Sequence, residues 1–551
     1  MIDKKAKRIL VLLVLVYVFF ILGNGILSLT NPDEVFYSQT AKEMIQQKSW
    51  MTPYLFGAPQ FEKPVLLYWF LRIAFMFFGV SSFSARLFPA FFAAAGVVAA
   101  YLLSLIGFKN EEKAFISSLI LMSSGLYIGL ARTVFTDMIF SVFILLSLMS
   151  FYWDYSRKDK AGPGILLFFI FSGLAVLTKG PLGILIPLLV ILVFLFVKKD
   201  IKVLSSKYTL LGILIFIALS LPWYIFMIRK YGSSFTHEFF YNDHFRRLIE
   251  AEHRGNDKWY FYPFSMIGCM FPWSVYTLTA LIFIFKYLRK NANPFYIFLI
   301  SWVSVVFLVF QFAHSKLVSY IFPLFPALAI ITGNFIYEAT SSKNRNRLFF
   351  NISLLMSVIL WLLPIALIVA SIKYSIYIPS KIPIYIVVSL LVFLSTLFSF
   401  FITRGKFSQI VPVLIFLVPA ILFAALFMHK DIEPYVSSET ASEFLSKNYP
   451  GGSAIICSKF FARGVRFYTD KEIAIINISG NNFFSPHPIP FLDTDTKVSN
   501  FLNRQPITYC LLRKSQVKDM ERISGREFKL TLLKIIGDEY LLKVEANTKI
   551  N

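Results

Sequence analysis

Apolar residues in this chain form long continuous runs, which is typical of segments surrounded by lipid rather than of a soluble core. A helix of about 20 apolar residues crosses the hydrocarbon layer of a bilayer. The pattern predicts an all-α polytopic membrane bundle of about thirteen transmembrane helices over residues 1–430. The predicted spans are 9–29, 84–107, 114–131, 134–153, 163–178, 181–197, 208–228, 261–285, 294–313, 317–337, 349–371, 382–403 and 407–428.

Two further segments, 33–47 and 65–79, are amphipathic and predict short helices lying at the membrane interface. The chain begins with a basic patch followed by about twenty apolar residues. This run is longer than a signal peptide core and has no small-residue cleavage site, so we expect an uncleaved first transmembrane helix.

The pattern changes at about residue 431, where short β-rich runs alternate with helix-like stretches. This alternation predicts a small α/β domain over residues 431–551. The predicted strands are Ala454–Ile456, Ile473–Ile478, Ile507–Leu512, Phe528–Ile535 and Glu539–Val544, and the predicted helices are Ser438–Lys447, Val498–Leu502 and Lys514–Ile523.

Composition supports the membrane interpretation and changes how the net charge is understood. The chain is 57% hydrophobic and only 15% charged, against about 25% charged in soluble domains. A net charge of +23 would suggest nucleic-acid binding in a soluble protein. Here the cations cluster in short loops between spans, where they fix orientation against anionic lipid headgroups, so a nucleic-acid partner is excluded and membrane lipids are expected instead.

The distribution of lysine and arginine also predicts which side of the membrane each loop occupies. With residue 1 in the cytoplasm, every predicted inside loop is basic, as at Lys198, Lys199 and Lys202. An odd number of spans then puts the C-terminal domain in the periplasm of a bacterial inner (cytoplasmic) membrane protein. The two long loops, 30–83 and 229–260, fall on the same outer side, where we expect the chemistry.

Three cysteines offer no metal-binding spacing. Cys269 lies within an apolar run. Cys457 and Cys510 both lie in the C-terminal domain and could form a disulfide, but the sequence alone does not establish the geometry that a disulfide requires.

Acidic candidates occur where predicted spans meet the outer surface. Asp33 and Glu34 follow the first span directly, and Asp137 begins the fourth. Acidic residues in a first turn also stabilise a helix through its dipole, and this structural interpretation is about as favoured for Asp33 and Glu34 as a chemical one. For Asp137 position alone favours a structural cap. A carboxylate at a membrane surface can instead act as a general base.

Basic candidates lie on the same side of the membrane. Arginine binds phosphate in a bidentate manner, and lysine supplies a point charge. Exposed ion pairing and contact with lipid headgroups are the ordinary alternatives for such residues. A lone histidine is more often a hydrogen-bonded residue than a metal ligand. The candidates are Glu62 and Lys63 in one long loop, His244, Arg246 and Arg247 in the other, and Lys179, Lys316 and Tyr320 at outer span ends.

Several common catalytic motifs are missing from the sequence. GxxxxGK[ST], GxGxxG and HExxH do not occur. Their absence argues against an ATP-driven pump, a dinucleotide enzyme and a zincin, and no nucleotide cofactor is expected. A secondary transporter or flippase for lipid-linked sugars remains an alternative, although such proteins usually carry charges near the bilayer midplane and show internal repeats.

Five sequence blocks together resemble the bacterial lipid A aminoarabinose transferases and, with them, the protein O-mannosyltransferases of the C-type glycosyltransferase superfamily. The resemblance covers residues 1 to about 340 in order. The blocks are Asn31-Pro32-Asp33-Glu34 with Tyr37, Phe61-Glu62-Lys63-Pro64 with Tyr68-Trp69, Leu177-Thr178-Lys179-Gly180-Pro181, Asp243-His244-Phe245-Arg246-Arg247 with Phe271-Pro272-Trp273, and Lys316-Leu317-Val318-Ser319-Tyr320.

The resemblance implies a transferase that moves a sugar, with inversion, from a polyprenyl-phosphate carrier to an acceptor. The expected sugar is 4-amino-4-deoxy-L-arabinose or a related sugar, carried on undecaprenyl phosphate, and the expected acceptor is lipid A. Transfer to a protein or another glycan is the alternative within the superfamily. By this resemblance Asp33 is the essential acidic residue, and Asp137 and Tyr320 complete the cavity.

The same resemblance assigns binding roles. Lys63 and Arg247 would hold the carrier phosphate, with Glu34, Lys179, Arg246, Lys316 and Tyr320 as further binding residues. Glu62 would ligate a divalent metal, Zn²⁺ or Mg²⁺, with His244 as a second ligand. The chain departs from the family pattern at Phe36, where the lipid A enzymes usually carry arginine, and at Asn242, which takes the place of a metal-binding histidine.

Overall fold

The computed structural model describes residues 4–157, 161–250, 256–290, 293–341, 347–375, 380–450, 454–478, 487–525 and 527–546. Part of the predicted outer loop 229–260, residues 251–255, therefore lies outside the described residues.

A bundle of apolar helices forms the larger part of the molecule, as the sequence predicted. The helices are α1 Lys4–Val16, α2 Asp33–Gln46, α3 Leu66–Phe78, α4 Ser82–Phe108, α5 Glu111–Met122, α6 Gly125–Ala131, α7 Thr136–Tyr155, α8 Pro163–Lys179, α9 Leu182–Lys198, α10 Lys207–Thr236, α11 Arg246–Ile249, α12 Phe261–Cys269, α13 Ser274–Lys290, α14 Pro294–Gln311, α15 Phe325–Ser341, α16 Arg347–Lys373, α17 Lys381–Thr403 and α18 Ile410–Phe427. Within the described residues, eight helices are long and apolar enough to cross a membrane, or ten if each of two bent pairs counts as one span. This is the fold of a multi-pass membrane protein.

The difference from the predicted count comes from short helices. The predicted spans 9–29, 163–178 and 181–197 correspond to α1, α8 and α9, which have 13, 17 and 17 residues. At 1.5 Å per residue, a 17-residue helix is about 26 Å long, near the lower limit for crossing the hydrocarbon layer. The first helix continues only as a π-helical turn, Tyr17–Ile21, and so ends eight residues before the predicted span does.

Two predicted spans are broken helices. The segment predicted as 114–131 forms α5 and α6, which meet at 65°. At the break, the Ser123 and Ser124 hydroxyls donate to the backbone carbonyls of Leu119 and Ile120 (2.6 and 2.7 Å), a local bonding pattern that bends helices. The segment predicted as 261–285 forms α12 and α13, with Pro272 in the connection, where proline has no backbone N–H to continue a helix.

Helix α10 extends into the segment predicted as an outer loop. The predicted span ended at residue 228, whereas α10 continues to Thr236 and is followed by the π-helical segment His237–Phe245. Gly232 interrupts the regular helix with a φ of 54°, a conformation that glycine adopts without steric cost. Residues 237–249 are therefore helical rather than an irregular loop.

The two predicted interfacial helices correspond closely to α2 and α3. A two-stranded hairpin, β1 Tyr54–Leu55 and β2 Ala58–Pro59, lies between them. Ten of the fourteen residues of α2 are buried, more than a helix resting on a bilayer surface would bury. The C-terminal domain supplies the additional cover.

The C-terminal domain contains one six-stranded mixed sheet in the order β5-β4-β3-β6-β8-β7. Strands β3, β4, β5 and β6 run parallel to one another. Strand β8 pairs antiparallel with both β6 and β7. The strands are β3 Ile455–Ser458, β4 Ile473–Ile476, β5 Phe491–Leu492, β6 Ile507–Leu512, β7 Phe528–Ile536 and β8 Glu539–Ala546. The helices are α19 His429–Val436, α20 Glu439–Asn448, α21 Ala462–Thr469, α22 Asp495–Leu502 and α23 Lys514–Ser524.

Each strand predicted in this domain is present within two residues of its predicted bounds. Strand β5 and helices α19 and α21 were missed. A strand of two residues gives no alternation, and the two helices have only eight residues each, with a proline inside α19 and two arginines in α21. Cys457 and Cys510 are both free. Cys510 pairs in register with Ile456, so the adjacent Cys457 points to the opposite face of the sheet, and the possible disulfide is not formed.

The domain docks on the connection between α1 and α2. The Asn31 backbone N–H donates to the Val436 carbonyl (2.8 Å), and the Leu29 N–H donates to the Tyr468 hydroxyl (3.0 Å). Lys42 of α2 pairs with Asp470 beyond α21 at 2.8 Å. These contacts place α21 directly over α2.

Candidate active site

Asp33 is the first residue of α2 and lies where the membrane bundle meets the C-terminal domain. Its side chain is 54% exposed. The Arg463 guanidinium of α21 lies 3.8 Å from the Asp33 carboxylate. Asp33 is therefore open to a ligand on one side and faces a cation on the other.

Glu34, the next residue, points into the protein interior. Its carboxylate accepts hydrogen bonds from Arg86 Nη2 (2.7 Å) and Nε (2.9 Å) and from the Val134 backbone N–H (2.9 Å). The Thr30 backbone N–H and hydroxyl also donate to it, at 3.0 and 2.9 Å. These donors fix the start of α2 against α4 and the start of α7, so this placement gives Glu34 a structural role and does not support the predicted contact with substrate.

Replacing Glu34 by alanine is expected to lower the free energy of unfolding by about 3–5 kcal/mol, because it leaves the Arg86 charge buried without its partner. The thermal unfolding midpoint of the detergent-purified protein measures the loss. Asp493→Asn is the matched control, since the Asp493–Lys497 pair is exposed and such pairs contribute about 0–1 kcal/mol. Equal midpoints for the two variants would contradict the structural role of Glu34.

Lys63, Asp243 and Arg247 form a compact ion cluster. Lys63 Nζ lies 2.9 and 2.7 Å from the two Asp243 carboxylate oxygens. Arg247 Nη2 lies 3.1 Å from the same carboxylate. The three side chains are between 5% and 18% exposed, so the charges act in a site largely screened from bulk water. The helical segment 237–249, which follows α10, carries Asp243 and Arg247 to the loop that contains Lys63.

A second ion pair joins this cluster through Tyr320. Lys179 Nζ, at the end of α8, lies 2.6 Å from the Asp137 carboxylate at the start of α7. The same ammonium lies 4.9 Å from the centroid of the Tyr320 ring, a cation–π contact. Arg247 Nη1 donates to the Tyr320 hydroxyl at 3.4 Å. We call these six residues the polar network: Lys63, Asp243, Arg247, Tyr320, Lys179 and Asp137.

The polar network contains three cations and two carboxylates, which leaves an excess positive charge. Glu62 adjoins it, and burial raises the pKa of its carboxyl, against the opposing effect of Arg463, Lys63 and Arg247. The arrangement suits a buried anionic group on a ligand.

Three other predicted residues lie outside the network. Arg246 pairs with Glu250 at 2.7 Å in an exposed contact. Lys316 is 4% exposed, and its ammonium lies 3.4 Å from the Asp257 carbonyl. The ring nitrogens of His244 face the backbone carbonyls of Phe239 (2.7 Å) and Lys179 (3.4 Å).

Glu62 and His244, the two predicted metal ligands, have different contact partners in this structure. Glu62 lies 3.9 Å from His487 of the C-terminal domain, whereas the His244 ring is engaged by backbone carbonyls. No group of three His, Cys, Asp or Glu side chains arranged to hold a metal occurs among the described residues. The residues present therefore do not fit a site built on Glu62 and His244, and a metal requirement stays a prediction.

Asp243 was named in one of the five sequence blocks but was given no role, and Arg463 and His487 were not singled out at all. The spacing offered a role for Asp243, since a carboxylate four residues before Arg247 is a recognised ion-pair spacing on helices. Arg463 and His487 carry no such signal. They reach the site only through the docking of the C-terminal domain.

The fold defines a class of protein: a polytopic membrane protein with a small mixed-sheet domain at its C-terminal end. The structure superimposes on ArnT from Cupriavidus metallidurans bound to undecaprenyl phosphate with a TM-score of 0.79, covering 97% of both chains at 17% identity. The oligosaccharyltransferase AglB from Archaeoglobus fulgidus is more distant, with a TM-score of 0.55 at 12% identity over 92% of this chain and 70% of that one.

Sequence comparisons identify the relatives within this class. The model of the dolichyl-phosphate-mannose-protein mannosyltransferase family (PMT) matches residues 5–236. The undecaprenyl phosphate-alpha-4-amino-4-deoxy-L-arabinose arabinosyl transferase of Yersinia enterocolitica is 30% identical over 58% of this chain and 56% of its own length. A protein of Aquifex aeolicus is 31% identical over 62% of this chain and 66% of its own length. The chain thus spans between half and two thirds of the length of the curated relatives it matches.

The resemblance inferred from the five sequence blocks is confirmed by these comparisons. The chain is similar to the bacterial aminoarabinose transferases over more than half of its length and to the PMT family model over residues 5–236.

Proposed function

We propose that this protein is an integral membrane glycosyltransferase. It moves a sugar, with inversion, from a polyprenyl-phosphate carrier to lipid A or another surface acceptor, at the periplasmic face of a bacterial inner membrane. The observation that carries the proposal is the polar network, in which six side chains from five separate segments contact one another and include three cations but only two carboxylates.

The carrier phosphate is the group best suited to the polar network. Lys63 and Arg247 share the Asp243 carboxylate, so each cation is held in place before a ligand arrives. Arginine and lysine form their strongest hydrogen bonds with ionised acceptors such as phosphate. Fixed cations stabilise the charge that develops on a leaving phosphate without reorganisation at the moment of reaction.

The reaction needs one nucleophile and one leaving group. An acceptor oxygen attacks the anomeric carbon, a new carbon–oxygen bond forms, and the bond between that carbon and the phosphate oxygen breaks. The electron pair of the broken bond stays on the polyprenyl phosphate, beside Lys63 and Arg247. When the acceptor is a hydroxyl, its proton passes to Asp33, whose exposed carboxylate is a suitable base.

Relatives guide the choice of sugar and acceptor. The printed name of the Yersinia enterocolitica protein specifies 4-amino-4-deoxy-L-arabinose and undecaprenyl phosphate, and we propose the same donor here. Lipid A is the proposed acceptor. Phe36 lies in the first turns of α2, close to Asp33, so acceptor selection is the property most open to difference from these relatives.

Reconstitution of the purified protein in liposomes tests the proposal. Undecaprenyl-phosphate aminoarabinose is supplied with lipid A, a peptide or a neutral glycolipid, and the products are identified by mass spectrometry. We expect a covalent sugar–lipid A product. A parallel assay after EDTA treatment, with Zn²⁺ or Mg²⁺ restored, tests the predicted metal requirement. Movement of the donor between leaflets without any bond formation would overturn the proposal in favour of a flippase.

A further inference from the structure

The C-terminal domain places two side chains at the edge of the candidate site. Arg463 lies in the first turn of α21, and His487 lies just before β5. Both are largely buried, with side chains 11% and 4% exposed. We call them the interdomain pair.

Arg463 contacts the start of α2 in three ways. Its Nη1 lies 3.8 Å from the Asp33 carboxylate and donates to the Pro32 carbonyl at 3.5 Å. Its guanidinium lies 4.6 Å from the centroid of the Phe36 ring. These contacts fix the guanidinium beside the carboxylate to which the proposed function gives the role of base.

His487 connects Arg463 to the opposite side of the site. Its Nε2 lies 2.7 Å from Arg463 Nη2, and because a guanidinium only donates, Nε2 accepts this hydrogen bond. Nδ1 faces the Glu62 carboxylate at 3.9 Å.

Two aromatic rings lie close to the imidazole of His487. The ring of Phe36 is stacked against it with centroids 6.5 Å apart, and the ring of Phe56 lies 5.8 Å away. The imidazole therefore contacts Arg463, Glu62 and two aromatic rings at once. The C-terminal domain thereby spans the two segments of the membrane bundle that carry Asp33 and Glu62.

We propose that Arg463 is a positioning residue for the transfer reaction: through Asp33 directly and through His487 to Glu62, it sets the orientation of the two carboxylates over the site. This inference rests on the proposed function. It gives the C-terminal domain a part in turnover, whereas donor binding depends on the polar network of the membrane bundle.

Simple docking of the domain is a separate role that the structure assigns to other residues. Lys42 and Asp470 pair at 2.8 Å across the same interface, and Lys42 also donates to the Phe467 carbonyl at 2.9 Å. The recorded contacts of Lys42 do not include Asp33 or Glu62. Lys42→Ala is therefore a matched control that weakens docking and leaves the interdomain pair intact.

The experiment compares wild type, Arg463→Ala, Arg463→Lys and Lys42→Ala in the reconstituted transfer assay. Loss of a positioning contact can slow a reaction about 100-fold, and we expect a decrease of about this size in kcat for Arg463→Ala. Arg463→Lys restores part of the rate, since the ammonium still faces Asp33. Binding of undecaprenyl phosphate, measured from the shift in thermal midpoint, stays within about twofold of wild type because Lys63 and Arg247 are unchanged.

The outcomes separate this inference from the proposed function. Transfer by wild type with equal rates for the two Arg463 variants would overturn the inference alone. An equal loss of rate in Lys42→Ala would also overturn it, because domain docking would then explain both results. A wild-type protein that neither binds undecaprenyl phosphate nor forms product would overturn the proposed function itself.

Discussion

Replacing Asp33 by asparagine is expected to lower the rate of sugar transfer to a hydroxyl acceptor by about 1,000-fold, within the range that general base catalysis contributes. Asparagine keeps the shape of the side chain but cannot accept the acceptor proton. Donor binding should not change, because the cations assigned to the phosphate belong to the polar network. Initial rates at saturating donor, combined with undecaprenyl phosphate binding, measure the two effects separately.

Asp470→Asn is the control for this substitution. Asp470 is a carboxylate at the same interface, with a similarly exposed side chain, and it pairs with Lys42 rather than Arg463. We expect near wild-type transfer from it. If Asp33→Asn kept full activity with a hydroxyl acceptor, Asp33 could not be the base. An acceptor phosphate is already ionised near pH 7 and would need only positioning, so comparison of the two acceptor types identifies the attacking group.

Replacing Lys63 by methionine is expected to reduce transfer by about 100- to 1,000-fold, the effect of removing one fixed charge from a developing anion. Methionine retains most of the length of the side chain without its charge. Donor binding should weaken as well, since the ground-state phosphate also carries negative charge. The rate and the dissociation constant for undecaprenyl phosphate are measured on the same reconstituted samples.

A second variant is needed to interpret the effect of Lys63→Met, because Lys63 also pairs with Asp243. Lys63→Met leaves Asp243 with one fewer partner, and a structural defect could lower the rate by itself. Asp243→Asn breaks the same ion pair but keeps the Lys63 charge. If Lys63 binds phosphate, Asp243→Asn retains donor binding while Lys63→Met loses it. Equal loss of binding in both variants would assign the pair a purely structural role.

The features that the sequence predicted well are those determined by local pattern. Helix α2 was predicted as 33–47 and found as Asp33–Gln46, and strand β6 matched its predicted bounds of Ile507–Leu512. A run of apolar or alternating residues contains enough information for such elements because the period of the pattern depends only on neighbouring residues. The bends at Ser123–Ser124 and in α10 depend on hydrogen bonds and on a single glycine, which hydrophobicity does not reveal.

The candidate site was predictable only in part, for the same physical reason. The blocks holding Lys63, Lys179 and Arg247 were identified, but their meeting at Tyr320 depends on the packing of separate helices. Glu34 is buried and Asp33, its neighbour, is exposed. The buried position of Glu34 depends on partners distant in sequence, such as Arg86, which the local sequence does not reveal. Arg463 reaches Asp33 only because the C-terminal domain docks on the bundle. The two residues are far apart in the sequence, and a local pattern cannot predict such a contact.

The docking of the C-terminal domain on the Asn31 region has a consequence for biosynthesis. Asn31 bonds to Val436, and Leu29 bonds to Tyr468, so each of these contacts must wait for roughly 400 further residues to be translated, which takes roughly 20–80 s at about 5–20 residues per second. During that interval the membrane helices can insert and pack while the start of α2 still lacks its partner. A chain that ends before this domain would therefore keep the membrane helices but lack Arg463 beside Asp33.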